Sequence, residues 1–374
     1  MRLIASVSAI AAALAAAAII PAAGAQSAAD TVGWTIEGRD NDPGRVQLSL
    51  TRKLPRGQWM HSNSVSVSDL QGVTPAQLAD PSGAPVAFRI VRHAGALDCE
   101  GVARRGRGTG ECTFRPDRGF ASALSARGIG AATDQQLFSL AMGNIGLDFV
   151  DELDRQKYAR PTVDQLIAAG DHGARLDYLR SMGGLGYRVG TLPALIEMRD
   201  HGVTADYVSD LVRHGVRDVS SRDLVRLRDH GVSPAVVGEM RTLGYSGLGI
   251  EQLIRLRDHG VSASYVRELA GHGVRGMAPD MLVRLRDHGV SAEFVGEMAR
   301  LGYDSFGPSD LIRLRDHGVS ADYVRELSAL GYTGLSADQI VRLRTHDVRP
   351  DFIRRANQPA RRSPEELVRL RIGG

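Results

Sequence analysis

Lysine is almost missing from this chain. Lys53 and Lys157 are the only two, so nearly all of the 46 basic side chains in the 374 residues are arginine. A genome rich in G and C produces that bias with no functional meaning. Excess charge is scarce too: the formal net charge is +3 and falls by one if Arg2 leaves with a leader peptide. A near-neutral surface of interspersed signs excludes the basic footprint of a nucleic-acid binder. The two cysteines cannot by themselves complete a metal site. Enzyme signatures are missing as well. There is no Gly-x-Ser-x-Gly, His-Glu-x-x-His or Gly-x-x-x-x-Gly-Lys, and no Cys/His nucleophile setting. Gly106, Gly108 and Gly110 loosely imitate a dinucleotide loop, but they lie in a hairpin with no helix after it. No catalytic residue, cofactor or metal is expected.

What is present begins with an apolar run over residues 3–20, preceded by Arg2 and followed by Ala23-Gly24-Ala25. This reads as a secretory signal peptide, residues 1–25, cleaved after Ala25. An uncleaved anchor helix is the alternative. After cleavage no transmembrane segment remains, and the expected location is periplasmic or secreted. Residues 26–33 read as a disordered leader.

Residues 34–116 have the texture of β-structure. Segments 45–51 and 64–68 alternate polar and apolar side chains, which gives one wet and one dry face. With 34–37, 86–92, 97–100 and 111–114 they make about six strands, in an antiparallel sheet or a small sandwich. Cys99 and Cys112 flank a Gly-rich stretch. A turn centred on Arg105-Gly106 sets them directly opposite on paired strands, within disulfide reach in an oxidising compartment.

From residue 117 onward the chain is periodic. Asp-His-Gly recurs at 171–173, 200–202, 229–231, 258–260, 287–289 and 316–318, a step of 29 residues. Decayed copies stand at 345–347 and 142–144, and Phe120 with Leu124 marks half a repeat before them. Such a period signals a solenoid. Each unit carries two helices. The first opens on a capping box (Thr133/Gln136, Thr162/Gln165, Ser336/Gln339) or on Pro193, Pro279 or Pro308 at its first position, and stops at His-Gly. The second runs from Ser233, Ser262, Ser291 or Ser320 to another glycine. Leu224/Leu227 and their equivalents form one apolar stripe, and Tyr207/Leu211 and theirs form the matching one. A unit this short cannot bury its own apolar side, so its neighbours must cover it. The fold class expected is therefore α+β: an N-terminal antiparallel β-domain, then an α-solenoid of 29-residue helical hairpins over 117–374.

The histidine ladder (His172, His201, His230, His259, His288, His317, His346) reads as helix-end capping. Equivalent atoms one helix diameter apart cannot converge on an ion. The aspartate before each histidine opposes the helix dipole, and an arginine three residues earlier or in an adjacent unit is its expected compensation. Arg226, Arg228, Arg255, Arg257, Arg284, Arg286, Arg313 and Arg315 make Arg-x-Arg pairs on the first helices. They are the candidate binding surface.

Residues 311–327, Leu-Ile-Arg-Leu-Arg-Asp-His-Gly-Val-Ser-Ala-Asp-Tyr-Val-Arg-Glu-Leu, resemble helical repeats of bacterial envelope proteins. Among these are the repeat tails of membrane metallopeptidases of the beta-lactam-sensor type. The stretch from Gly95-Ala96-Leu97-Asp98-Cys99-Glu100-Gly101 to Phe114-Arg115-Pro116 is similar to the β-region before those repeats, so the likeness spans roughly 85–370. The peptidase half has no counterpart in these residues, and no proteolytic residue carries over. The resemblance implies envelope sensing or protein interaction. Three functions follow as expectations: a non-enzymatic exported scaffold for an envelope protein or peptide; binding of an anionic envelope polymer or lipid headgroup through the arginine ladders and a basic region near Arg354 and Arg362; or a hydrolase in the β-domain.

Overall fold

The structure is a computed structural model that describes residues 31–39, 42–54, 57–358 and 360–373. The signal peptide and the first part of the leader lie outside the described residues. So do Asp40 and Asn41 of the turn before β2. The chain divides into two compact units between Phe120 and Ala121.

The first unit is one six-stranded antiparallel sheet, so the sandwich alternative falls. Its strands are β1 (Thr31–Arg39), β2 (Asp42–Leu54), β3 (Gly57–Ser66), β4 (Ala84–Arg92), β5 (Gly95–Arg104) and β6 (Arg107–Pro116), in the order β3-β2-β1-β6-β5-β4. Two hairpin meanders are thus joined along β1 and β6. The alternation read from sequence sets the dry face: Val32, Trp34, Ile36, Leu48, Leu50, Phe88, Ile90 and Leu97 are buried. Trp34 sits edge-on to Phe88 at 5.0 Å and donates Nε1–H to the Glu100 carbonyl at 3.1 Å. Its indole lies on Gly101, Gly108 and Gly110. A Cβ at those positions would come within 2.6, 3.0 and 2.7 Å of the ring. Two of the glycines that imitate a nucleotide loop, Gly108 and Gly110, are thus part of a socket for tryptophan.

Three boundaries differ from expectation. β1 starts at Thr31, so residues 31–33 belong to the sheet and not to a leader. β3 covers Gly57–Ser66, while Val67 and Ser68 turn off into a 3-10 helix, Val67–Asp69, that buries Val67. A short helix α1 (Pro75–Ala79) was not anticipated, although Thr74 and Gln77 form a full capping box. Cys99 and Cys112 are directly opposed in the β5–β6 register and are joined by a disulfide, with Cα atoms 3.9 Å apart.

The helical region opens with α2 (Arg118–Ala126). Helix pairs follow: α3 (Asp134–Gly143) with α4 (Leu147–Arg155), α5 (Val163–Asp171) with α6 (Leu176–Gly184), α7 (Leu192–Asp200) with α8 (Ala205–Arg213), and α9 (Ser221–Asp229) with α10 (Pro234–Thr242). Next come α11 (Ile250–Asp258) with α12 (Ala263–Gly271), α13 (Pro279–Asp287) with α14 (Ala292–Arg300), and α15 (Pro308–Asp316) with α16 (Ala321–Ala329). The last are α17 (Ala337–Thr345) with α18 (Pro350–Ala356), and a closing α19 (Pro364–Gly373).

Most of these helices have nine residues, fewer than the ~12–15 an isolated helix needs to persist in water. Their ends are closed by local chemistry. Ser233, Ser262, Ser291 and Ser320 accept the N–H three residues on at 3.1–3.3 Å. First helices stop in a Schellman motif: Gly202 N–H reaches the Arg199 carbonyl and Val203 N–H the Met198 carbonyl, with Gly202 at φ +69°. Pro279 and Pro308 open α13 and α15, but Pro193 is the second residue of α7, whose cap is Thr191. Its missing N–H is still one that no helix bond needs.

Stacking supplies what the short helices lack. Leu224, Leu227, Leu253, Leu256, Leu282, Leu285, Leu311 and Leu314 are all buried, as are the plugs Val203, Val232, Val261, Val290 and Val319. One continuous apolar cluster runs from Met240 to Val368 through every unit between them. First helices contact first helices and second helices contact second helices in succession.

Candidate interaction surface

The histidine at the end of each first helix does more than cap it. Its Nδ1 meets the aspartate of the next unit: His172 with Asp200, His201 with Asp229, His230 with Asp258, His259 with Asp287 and His288 with Asp316, at 2.5–2.8 Å. An ionised carboxylate only accepts, so Nδ1 is the nitrogen that donates. At the far end Thr345 replaces the aspartate, and His317 meets its hydroxyl at 3.3 Å. Asp229 holds the His201 imidazole above the ordinary histidine range. The expected compensation of these aspartates by arginine is therefore corrected: the partner is a histidine 28 residues earlier. These pairs are half-exposed, and among the described residues no cluster of three His, Cys, Asp or Glu side chains is placed to hold a metal.

The eight arginines separate into two ladders with different partners. Arg226 bridges Asp223 and Glu251 at 3.1 and 2.7 Å. Arg255 pairs with Asp280 at 3.0 Å, and Arg313 with Asp310 at 2.8 Å and Asp338 at 2.5 Å. The second ladder reaches backward. Arg228, Arg286 and Arg315 lie over the rings of Tyr207, Tyr265 and Phe294 of the preceding unit, with centroid distances of 4.8–5.1 Å. Arg286 and Arg315 also donate Nε–H to the carbonyls of Gly260 and Gly289 at 3.1 and 3.0 Å. A cation over an aromatic face that also closes a helix end is a specific clamp.

Two of the eight break the pattern. Arg257 has Val236 where its neighbours have a ring, and Arg284 has Ser309 where its neighbours have an acid. Both are exposed. The basic turn near the C-terminus is also engaged. Arg361 stacks on Tyr332 at 4.6 Å, Arg362 donates to the Ala356 carbonyl at 2.7 Å, and Arg354 pairs with Asp351.

Second helices carry a ladder that periodicity alone does not announce. Tyr178, Tyr207, Tyr265 and Tyr323 donate their hydroxyls to the carbonyls of Val203, Val232, Val290 and Val348 in the next unit, at 2.8–2.9 Å. Burial pushes the phenols of Tyr178, Tyr207 and Tyr265 up to about 12, and that of Tyr323 in the same direction. Arg180, Arg267 and Arg325 reach back to Glu152, Glu239 and Glu297. Glu152 is the most enclosed of these, 4 % exposed, and Arg155 beside it holds its carboxyl below the usual range. His214 and His272 pack flat on Gly238 and Gly296, where a Cβ would meet the imidazole at 2.6 Å. These two contacts are 58 residues apart, twice the basic step, and Leu330 breaks the series at the next double step. The sequence signal was there: Val-Gly-Glu-Met appears at 237–240 and again at 295–298.

No protein-family model and no curated protein sequence matches the chain.

Proposed function

We propose that the chain is a non-enzymatic, exported repeat protein whose helical array holds another protein or a peptide in the cell envelope. The observation that carries this reading is the register of the polar contacts. Ladder residues pair with the unit before or after them, at separations of 25–28 residues. Charges so engaged stabilise the stack and are poorly placed to bind anything else. The exposed positions between them vary from unit to unit, as expected of an extended recognition surface on a repeated frame. The N-terminal signal pattern and the Cys99–Cys112 disulfide favour an oxidising compartment. Among the described residues no helix is long and apolar enough to cross a membrane. The likeness to the tails of sensor metallopeptidases adds envelope sensing as the setting.

Of the candidate arginines, Arg257 and Arg284 are the ones we assign to a partner. They lie on adjacent first helices and are exposed, each without the ring or acid that holds its equivalents. The test is capture from envelope extract by the immobilised mature chain. The double variant R257E/R284E should lose the captured protein, whereas Arg313→Gln, in the ladder proper, should keep it. Capture that survives R257E/R284E unchanged would remove this surface. Binding of an anionic polymer through the ladders loses ground, because Arg226, Arg255 and Arg313 already face acids.

A further inference from the structure

The first unit holds a feature that the helical array does not explain. An open cleft of about 1040 Å³ lies where the β5–β6 turn meets α1, and four arginines line it: Arg45, Arg104, Arg105 and Arg107. All four are exposed, and among the described residues none forms an ion pair. Two are aimed by neutral partners. Arg45 gives Nε–H and Nη2–H to the hydroxyl and carbonyl of Ser64 at 3.2 and 2.9 Å, and Arg104 gives Nε–H to the Pro81 carbonyl at 2.9 Å. Their remaining N–H groups stay available. Among the described residues the lining contains no carboxylate. Among the described residues, three acids of the adjoining segments are turned to other tasks or stand apart. Asp80 accepts the Ser82 N–H, Asp42 accepts the Gly44 N–H, and Glu37 faces Arg107 in the β1–β6 register without closing to an ion pair.

The turn itself is held rigidly. Arg105 N–H donates to the Asp80 carbonyl at 3.1 Å, Gly106 N–H to the Leu78 carbonyl at 2.8 Å, and Gly38 N–H to the Gly106 carbonyl at 2.6 Å. Arg105 and Gly106 both have positive φ, +51° and +79°. A two-residue hairpin turn of this kind takes Asn-Gly or Gly-Gly without strain. An arginine in the first position is a conformational cost that the fold alone does not require, and such outliers point to a task for the side chain. Uncompensated like charges on a fixed frame destabilise the empty site and are relieved by an anion.

We propose that this cleft binds a ligand carrying two or more linked phosphate groups, held at the hairpin turn by the guanidinium groups of Arg105 and Arg107, with Arg104 and Arg45 flanking the turn on either side. Arginine suits this because its planar donors match phosphate oxygens in pairs. The proposal is independent of any partner of the helical array. Pyrophosphate is the soluble probe, and vesicles of phosphatidylglycerol against vesicles of phosphatidylcholine are the membrane probe, both with the full mature chain. Calorimetric titration should show pyrophosphate binding at least tenfold tighter than orthophosphate and weakening as NaCl is raised. The variant R105N/R107Q, whose asparagine suits the left-handed turn, should lose at least tenfold in affinity while keeping its disulfide and circular dichroism. R45Q alone, away from the turn, should lose affinity in the same direction. Binding to phosphatidylglycerol vesicles with none to pyrophosphate overturns the proposal, because that headgroup carries a single phosphate. No binding of either probe to the parent chain, or equal binding by parent and variants, overturns the proposal.

Discussion

Replacing Gly170 by alanine should destabilise the array, although the same change on an open helix would strengthen it. Gly170 of α5 lies against Gly143 of α3. A Cβ on Gly170 would sit 2.8 Å from the Gly143 Cα, 3.3 Å from its carbonyl oxygen and 3.2 Å from Ile145 Cγ1. Two of these three are backbone atoms, which cannot rotate aside, so α3 and α5 must move apart by several tenths of an ångström along their contact. Overpacking of this kind costs about 1–3 kcal/mol. Against it stands a helix-propensity gain of about 1 kcal/mol for Gly→Ala. The net expectation is a loss of about 1 kcal/mol, since the clash outweighs the propensity gain. Gly271 of α12 is the control: a Cβ there meets nothing within 4 Å. Gly271→Ala should therefore gain a few tenths of a kcal/mol, the site being at a helix end where propensity counts for less. Urea unfolding followed at 222 nm reads both. A lower midpoint for G170A and an unchanged or higher one for G271A is the expected pair. Stabilisation by G170A would refute the close approach of first helices from which the stacking argument starts.

The tyrosine ladder makes two further predictions. Tyr265→Phe removes the donor to the Val290 carbonyl and should cost about 1–2 kcal/mol, read by the same unfolding curve. Because the folded phenols of Tyr178, Tyr207 and Tyr265 ionise near 12, above the usual value of 10, their contribution is intact below pH 10 and is lost as pH rises toward 12. Absorbance at 295 nm should show these tyrosines ionising late and together with unfolding. For the histidine ladder, an NMR titration of His201 should give a pKa above the ordinary value, and Asp229→Asn should lower it. The stability this pair adds is fully present at acidic pH and fades as pH rises through the His201 pKa. Reducing the Cys99–Cys112 bond, which closes a loop of separation 13, should lower the stability of the sheet by about 3 kcal/mol in chemical denaturation.

Much of this architecture could be read from residue spacing, because spacing is what a stacked array repeats. The Leu224/Leu227 stripe and its equivalents, the His-Gly stops and the serine caps each follow from local rules, and each lies where those rules put it. The Cys99–Cys112 bond was equally legible, since a two-residue turn at Arg105-Gly106 leaves one possible register. What resisted reading was the direction in which side chains reach across units. His201 and Asp200 are adjacent in sequence, which suggested a local role for both. Their actual partners, Asp229 and His172, lie one unit away on opposite sides. The tyrosine hydroxyls were hidden for the same reason, as an apolar stripe position says nothing of where its polar tip ends. Trp34 explains three glycines that no local rule connects with it. Among the candidate arginines, one sequence pattern covered two physical roles, and separating them needed the neighbouring unit in view. The seats of His214 and His272 are marked by Val-Gly-Glu-Met at 237–240 and 295–298, a signal that lies beneath the stronger 29-residue step.

Everything above depends on units that hold one another up through nearest-neighbour contacts. Native-state hydrogen exchange on the full chain carrying Leu285→Ala tests this most directly. Leu285 is fully buried in α13, and its truncation should cost about 2–5 kcal/mol locally. Amide protection should fall most in α13 and α14, less in α11, α12, α15 and α16, and hardly at all by α5. A fall confined to α13 and α14 alone, or one spread equally from α3 to α19, would contradict the account.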